Sequence, residues 1–99
     1  MTVTVELFYS PTCLYCPRAR KTLLEAAEEL GENVRVREIN VLSQAGVEEA
    51  EKYGVRGVPT MVVNGKAQIT GVPTREQLLR AIQGEMRSNE NRASSKPRT

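Results

Sequence analysis

The chain has 99 residues, 39% of them hydrophobic and 26% charged, which fits one soluble domain around one modest core and leaves no room for a second. No long apolar run occurs, and the start, MTVTVELFYS, alternates instead of placing a basic patch before an apolar block, so neither a signal peptide nor a membrane span is expected and the cytoplasm is the default location. The formal net charge of +2 arises entirely after Gly84, because ten basic and ten acidic residues precede that point.

The first predicted element is a strand. In TVTVELF, Val3, Val5 and Leu7 share one face at a period of two, while Phe8 suggests that the other face is covered near the strand's end. A helix follows. From Cys16 an apolar stripe passes through Ala19, Leu23, Ala26, Ala27 and Leu30, and Gly31 suits the left-handed cap that stops it. NVRVREINV reads as a second strand whose phase slips near Glu38, since Val34 and Val36 are out of step with Ile39 and Val41.

Ser43 opens a short helix carrying Val47 and Ala50, and Gly54 closes it. PTMVV is a compact apolar run suited to a strand covered on both faces, and Asn64-Gly65 is a tight turn into KAQIT. Thr74 begins the last helix, with Gln77 three residues on as a capping box before Leu78, Leu79, Ile82 and Met86. The predicted order is β-α-β-α-β-β-α, an α/β fold with a βαβ unit, a hairpin and a closing helix. Residues 1–86 form the domain. Residues 87–99 offer no large apolar side chain and read as a disordered polar tail, without the aromatics or dense basic run of a nucleic-acid arm.

The only cysteines, Cys13 and Cys16, form a C-x-x-C where a strand hands over to a helix. Structural zinc normally takes four Cys or His ligands, and there is no histidine, so a metal would need two chains or carboxylate ligands. A permanent bridge over so few residues constrains the unfolded chain least. Redox chemistry is the reading that the placement favours. Cys16 lies in register with the apolar stripe and is expected to face inward, leaving Cys13 at the accessible tip.

The first turn of this helix has an unusual charge pattern. A helix N-terminus carries partial positive charge and normally attracts Asp or Glu, yet Arg18, Arg20 and Lys21 arrive there, and no carboxylate appears until Glu25. A Cys13 thiolate would supply the missing negative charge, stabilised by unpaired N–H groups and those cations; the alternative is a basic cluster on a solvated face. Pro17 fits either as the first helical residue after a Cys16 cap or as an early residue of a helix that starts near Cys13.

SPTCLYCP, followed much later by YGVRGVPTMVVNGK, resembles the thioredoxin and glutaredoxin superfamily, most closely the short archaeal-type, glutaredoxin-like thioredoxins, over about Val3 to Met86. The resemblance implies a thioredoxin-like fold, a four-stranded mixed sheet flanked by three helices. It implies a redox-active Cys13–Cys16 disulfide, a cis-proline at Pro59 after Val58, and a glycine after the fourth strand at Gly71. From sequence alone Pro59 reads as an ordinary trans proline at a strand start, since cis occurs at only about 5–6% of X–Pro bonds. Val58, Pro59, Tyr15 and Gly71 are then expected to bind substrate, with Thr12, Pro17 and Arg18 in support, although Tyr15 also fits a plain surface or packing aromatic.

Several positions depart from the family pattern. Thr12 replaces the usual Trp, Leu14-Tyr15 the usual Gly-Pro, and Leu7 the buried acid six residues before the first cysteine. The resemblance implies protein-disulfide reduction. Cys13 attacks a client disulfide, and Cys16 then resolves the mixed disulfide. No cofactor or metal is expected. The expected partners are disulfide-bearing client proteins and a thioredoxin-reductase-type donor or small thiol, with no nucleic acid or membrane, for a monomer. The alternatives are a glutathione-dependent glutaredoxin, for which Arg75 and Arg56 are candidate cations, a disulfide-forming oxidant, and a metal-binding module bridging two chains.

Overall fold

The structure is a computed structural model that describes residues 2–95, with side chains described to residue 87. Its elements are β1 (Val3–Tyr9), α1 (Cys16–Leu30), β2 (Val34–Asn40), α2 (Gln44–Tyr53), β3 (Thr60–Val63), β4 (Ala67–Thr70) and α3 (Arg75–Ser95), with a short 3₁₀ turn at Gly31–Asn33. The order is the one expected. The four strands form one sheet in the order β2-β1-β3-β4, with β1 parallel to β2 and the other pairs antiparallel.

Two apolar layers sandwich the sheet. Val3, Val5, Leu7, Met61 and Val63 pack with Ala19, Leu23 and Ala26 of α1 and with Leu78 and Ile82 of α3. On the other face Phe8, Ile39 and Val62 are covered by Ala50 and Tyr53 of α2, with Val55 and Val58. Central β1 is therefore buried on both sides, which explains why Phe8 broke the alternation of Val3, Val5 and Leu7. The phase slip in β2 has the same origin. Val34 and Val36 join the α1–α3 layer while Ile39 joins the α2 layer, so a continuous strand changes its apolar face without a bulge.

Local signals stop and start the elements as their chemistry requires. Gly31 ends α1 at φ +64 and ψ −132, positive in φ but outside the left-handed helical region expected of it, and its N–H donates to the Ala27 carbonyl. Ser43 Oγ accepts from the Gly46 N–H, and Gly54 closes α2 in the left-handed region. Thr74 and Gln77 cap each other at 3.0 Å in both directions. Asn64 and Gly65, both at positive φ, make the hairpin turn.

Of the two apolar residues that the sequence places on α2, Ala50 packs on the sheet and Val47 is 43% exposed. The buried position of that turn is Gly46, which lies so close to the end of β2 that a Cβ there would stand 1.8 Å from the Asn40 carbonyl oxygen. Gly46, Ala50 and Tyr53 consequently form the inward stripe, and Val47 falls beside it.

The helical backbone of α3 continues beyond Met86 to Ser95, into the segment read as a polar tail. The rest of that reading, for the side chains of 88–99 and the backbone of 96–99, lies outside the described residues. Among the described residues no helix is long and apolar enough to cross a membrane.

Candidate active site

Parallel β1 ends at Tyr9, and the chain then loops through Ser10–Tyr15 before entering α1. The Cys13 N–H donates to the Ser10 carbonyl at 3.2 Å, and the Ser10 and Thr12 hydroxyls lie 3.3 Å apart. Tyr15 is the N-cap residue, making Cys16 the first helical residue and Pro17 the second. Neither starting point weighed for Pro17 is the one adopted. At the second position a proline removes no intrahelical hydrogen bond, because the first N–H groups of a helix have no partner inside it. The N-cap makes no side-chain bond and the first turn contains no acid, so the positive end of α1 lacks a countercharge from its own residues.

Cys13 and Cys16 are disulfide-bonded, with Cα atoms 5.4 Å apart. The two sulfur-bearing residues differ in access. Cys16 is 5% exposed, starting the stripe that continues through Ala19 and Leu23, whereas Cys13 is partly exposed in the loop. Beside them opens a cleft of about 380 Å³ lined by Leu7, Tyr9, Ser10, Pro11, Cys13, Cys16, Pro17, Arg20 and Glu38. Leu14 and Tyr15 project outward between the cysteines, 89% and 64% exposed.

The Val58–Pro59 peptide bond is cis. Thr60 pairs with Phe8 in the antiparallel register, which brings Pro59 to the end of β1 from which the cysteine loop departs. The Gly71 N–H donates to the Pro59 carbonyl at 2.9 Å, and Gly71 adopts φ +89, a conformation open to glycine. Val58, Pro59 and Gly71 thus gather at the same end of the sheet as the cysteines. Arg18, expected in support, is exposed and does not line the cleft; Arg20 does, but its Nε donates to Glu38 Oε1 at 2.9 Å, so its charge is already partnered. Arg75, a candidate for binding a peptide carboxylate, stands 3.7 Å from Glu29.

Two acids bear on the absence of a carboxylate at Leu7. Glu6 is buried, but it belongs to the opposite face of β1, where Arg37 Nη1 pairs with it at 2.6 Å and Glu49 stands 3.9 Å from the same nitrogen. Glu38 is the register partner of Leu7 on the neighbouring strand and shares its face, reaching the cleft from β2. Sequence reading did not single it out. Its signal was the phase slip itself, since Glu38 occupies the same phase as Val34 and Val36, where an apolar residue would continue the layer. Among the described residues there is no group of three or more side chains suited to hold a metal ion.

The thioredoxin domain pattern matches residues 1–83 of the chain. A probable thioredoxin of Methanothermobacter thermautotrophicus is 41% identical over 87% of this chain and 99% of its own length. A probable thioredoxin of Archaeoglobus fulgidus is 44% identical over 83% of this chain and 91% of its own. Among solved structures, a thioredoxin-like protein from Clostridium perfringens superposes with a TM-score of 0.77 at 20% identity, covering 84% of this chain and 70% of that one, a likeness of fold.

Proposed function

This chain belongs to the thioredoxin family and is a thiol–disulfide oxidoreductase, and on that footing we propose that Cys13 is the attacking sulfur and Cys16 the resolving one. The unequal access of the two sulfurs carries this reading: a client disulfide can reach partly exposed Cys13, while Cys16 at 5% exposure meets only a sulfur already bonded to its neighbour. The Cys13 thiolate attacks one client sulfur, forming a mixed disulfide and releasing the other as a thiolate. Cys16 then attacks Cys13 and releases the second client thiol. The uncapped positive end of α1 favours the thiolate.

The client lies as an extended strand beside Val58, whose backbone groups pair with it, while Pro59, without an N–H, bounds that pairing. Gly71 leaves the neighbouring surface without a side chain, and exposed Tyr15 supplies an apolar contact. Thr12 and Pro17 shape the loop around the sulfurs, and Arg18 contributes positive charge from the solvent side. The protein works as a cytoplasmic monomer in the reducing direction, with no cofactor beyond its own disulfide and with electrons from a thioredoxin-reductase-type donor or a small thiol.

A glutathione-dependent role is the weaker reading. Gly71-Val72-Pro73-Thr74 lacks the Gly-Gly-x-Asp run of glutaredoxins, Pro73 has no N–H to offer a carboxylate, and Arg75 is turned toward Glu29. Two assays on one preparation test the choice. Reduction of insulin disulfides with dithiothreitol as donor is expected to be rapid, and turnover of a glutathione mixed disulfide coupled to glutathione reductase is expected to be slight. The opposite ranking would make the protein a glutaredoxin.

A further inference from the structure

We propose that Glu38 is the proton acceptor for the Cys16 thiol when Cys16 resolves the mixed disulfide, across the cleft that the two residues share. The proposal rests on Cys13 being the attacking sulfur. A thiol becomes an effective nucleophile by losing its proton, and the thiol of a residue only 5% exposed has little water of its own to receive it. The base must therefore lie on the wall that Cys16 faces. That wall is formed by Leu7, Tyr9, Ser10, Pro11, Cys13, Pro17, Arg20 and Glu38, and Glu38 is its one carboxylate.

Its position follows from the sheet. Val34, Val36 and Glu38 share the face of β2 that looks toward α1, and the parallel register sets Glu38 beside Leu7. Arg20, one turn beyond Cys16 on α1, holds the carboxylate through a 2.9 Å hydrogen bond from Nε to Oε1, which leaves Oε2 available. Glu38 is about one-third exposed, so a water molecule in the open cleft can carry the proton between sulfur and oxygen. The charged and titratable groups around it are Arg20 from α1, Tyr9 from β1 and the two cysteines. Arg37 and Glu49 share a shallow hollow with Glu38 toward α2, where Arg37 is engaged by Glu6. Lys21, Glu25 and Glu28 line an adjoining groove farther along α1.

The step balances without an added reagent. Cys16–SH gives its proton to the Glu38 carboxylate, and the resulting thiolate attacks Cys13 Sγ. The Cys16–Cys13 bond forms as the bond from Cys13 to the client sulfur breaks, and the electron pair leaves on that sulfur. The client thiolate then takes back the proton from Glu38, so the cysteine pair is oxidised, the client is reduced and Glu38 is restored.

Reaction of the reduced protein with dithiobis(nitrobenzoate) in a stopped-flow instrument resolves the two steps. Release of the first coloured thiolate reports attack by Cys13, and release of the second reports resolution by Cys16. Glu38→Gln should leave the first phase intact and slow the second about 100-fold at about pH 6, with the difference closing as hydroxide takes over toward about pH 9. Glu38→Asp, which keeps a carboxylate, should retain the flatter profile of the unmodified protein. A second phase in Glu38→Gln that follows the unmodified profile across this range would overturn the proposal. The underlying reading has its own control, because Cys16→Ser should give the first phase only. If it gave none, Cys13 would not be the attacking sulfur, an outcome distinct from failure of the role of Glu38.

Discussion

Gly71 and Pro59 are tied by a backbone hydrogen bond of 2.9 Å from the Gly71 N–H to the Pro59 carbonyl, joining the end of β4 to the loop that flanks the cysteines. The bond depends on Gly71 holding φ +89, where a side chain is strained even though its Cβ would meet nothing within 4 Å. Gly71→Ala is therefore expected to cost roughly 1 kcal/mol through the backbone alone. Relaxation of that residue would loosen Pro59, and the KM for insulin should rise severalfold while the rate of Cys13 alkylation stays unchanged. Thermal unfolding and steady-state kinetics on one preparation measure both.

Gly46 is the point where α2 meets the end of β2. A glycine in a helix is ordinarily improved by alanine, by up to about 1 kcal/mol. Here the added Cβ would lie 1.8 Å from a backbone carbonyl that cannot turn aside. Gly46→Ala should instead destabilise the fold by about 1–3 kcal/mol, seen as a lower denaturation midpoint with an unchanged denaturant slope. A neutral result would mean that α2 can slide off the sheet at no cost.

These two glycines show which parts of the molecule a sequence can and cannot announce. The seven elements were legible because each has a local signature: the alternation of Val3, Val5 and Leu7, the stripe from Cys16 to Leu30, the Ser43 cap, the Asn64-Gly65 turn and the Thr74–Gln77 box. The cysteine pair was legible for the same reason, as was the inward turn of Cys16. Contacts between distant segments were not. Nothing local distinguishes buried Glu6 from an exposed strand residue, because its burial depends on Arg37 across β1 and β2. Arg20 looked like a free cation on a helix surface, and only the docking of α1 on β2 brings it to Glu38. The slip in β2 was visible, but that it marks a carboxylate lining the same cleft as the cysteines required the register with Leu7.

Among the described side chains, the last apolar residue by which α3 packs on the sheet is Met86. Truncation after Met86 should consequently leave the melting temperature within a few degrees of that of the full chain and exchange activity unchanged, since the residues removed include no large apolar side chain with which to pack on the sheet. A larger fall in melting temperature would show that the segment packs on the body.

The division of labour between the two sulfurs is tested most directly by trapping. Cys13→Ser and Cys16→Ser proteins, each incubated with oxidised insulin and quenched with alkylating reagent, are digested and mapped by mass spectrometry. Cys16→Ser should accumulate a stable adduct in which Cys13 is joined to an insulin cysteine, because the mixed disulfide forms and has no resolving thiol. Cys13→Ser should accumulate none, its remaining cysteine, Cys16, being only 5% exposed. An adduct through Cys16 in the Cys13→Ser protein, formed as fast as the adduct through Cys13, would contradict the assignment.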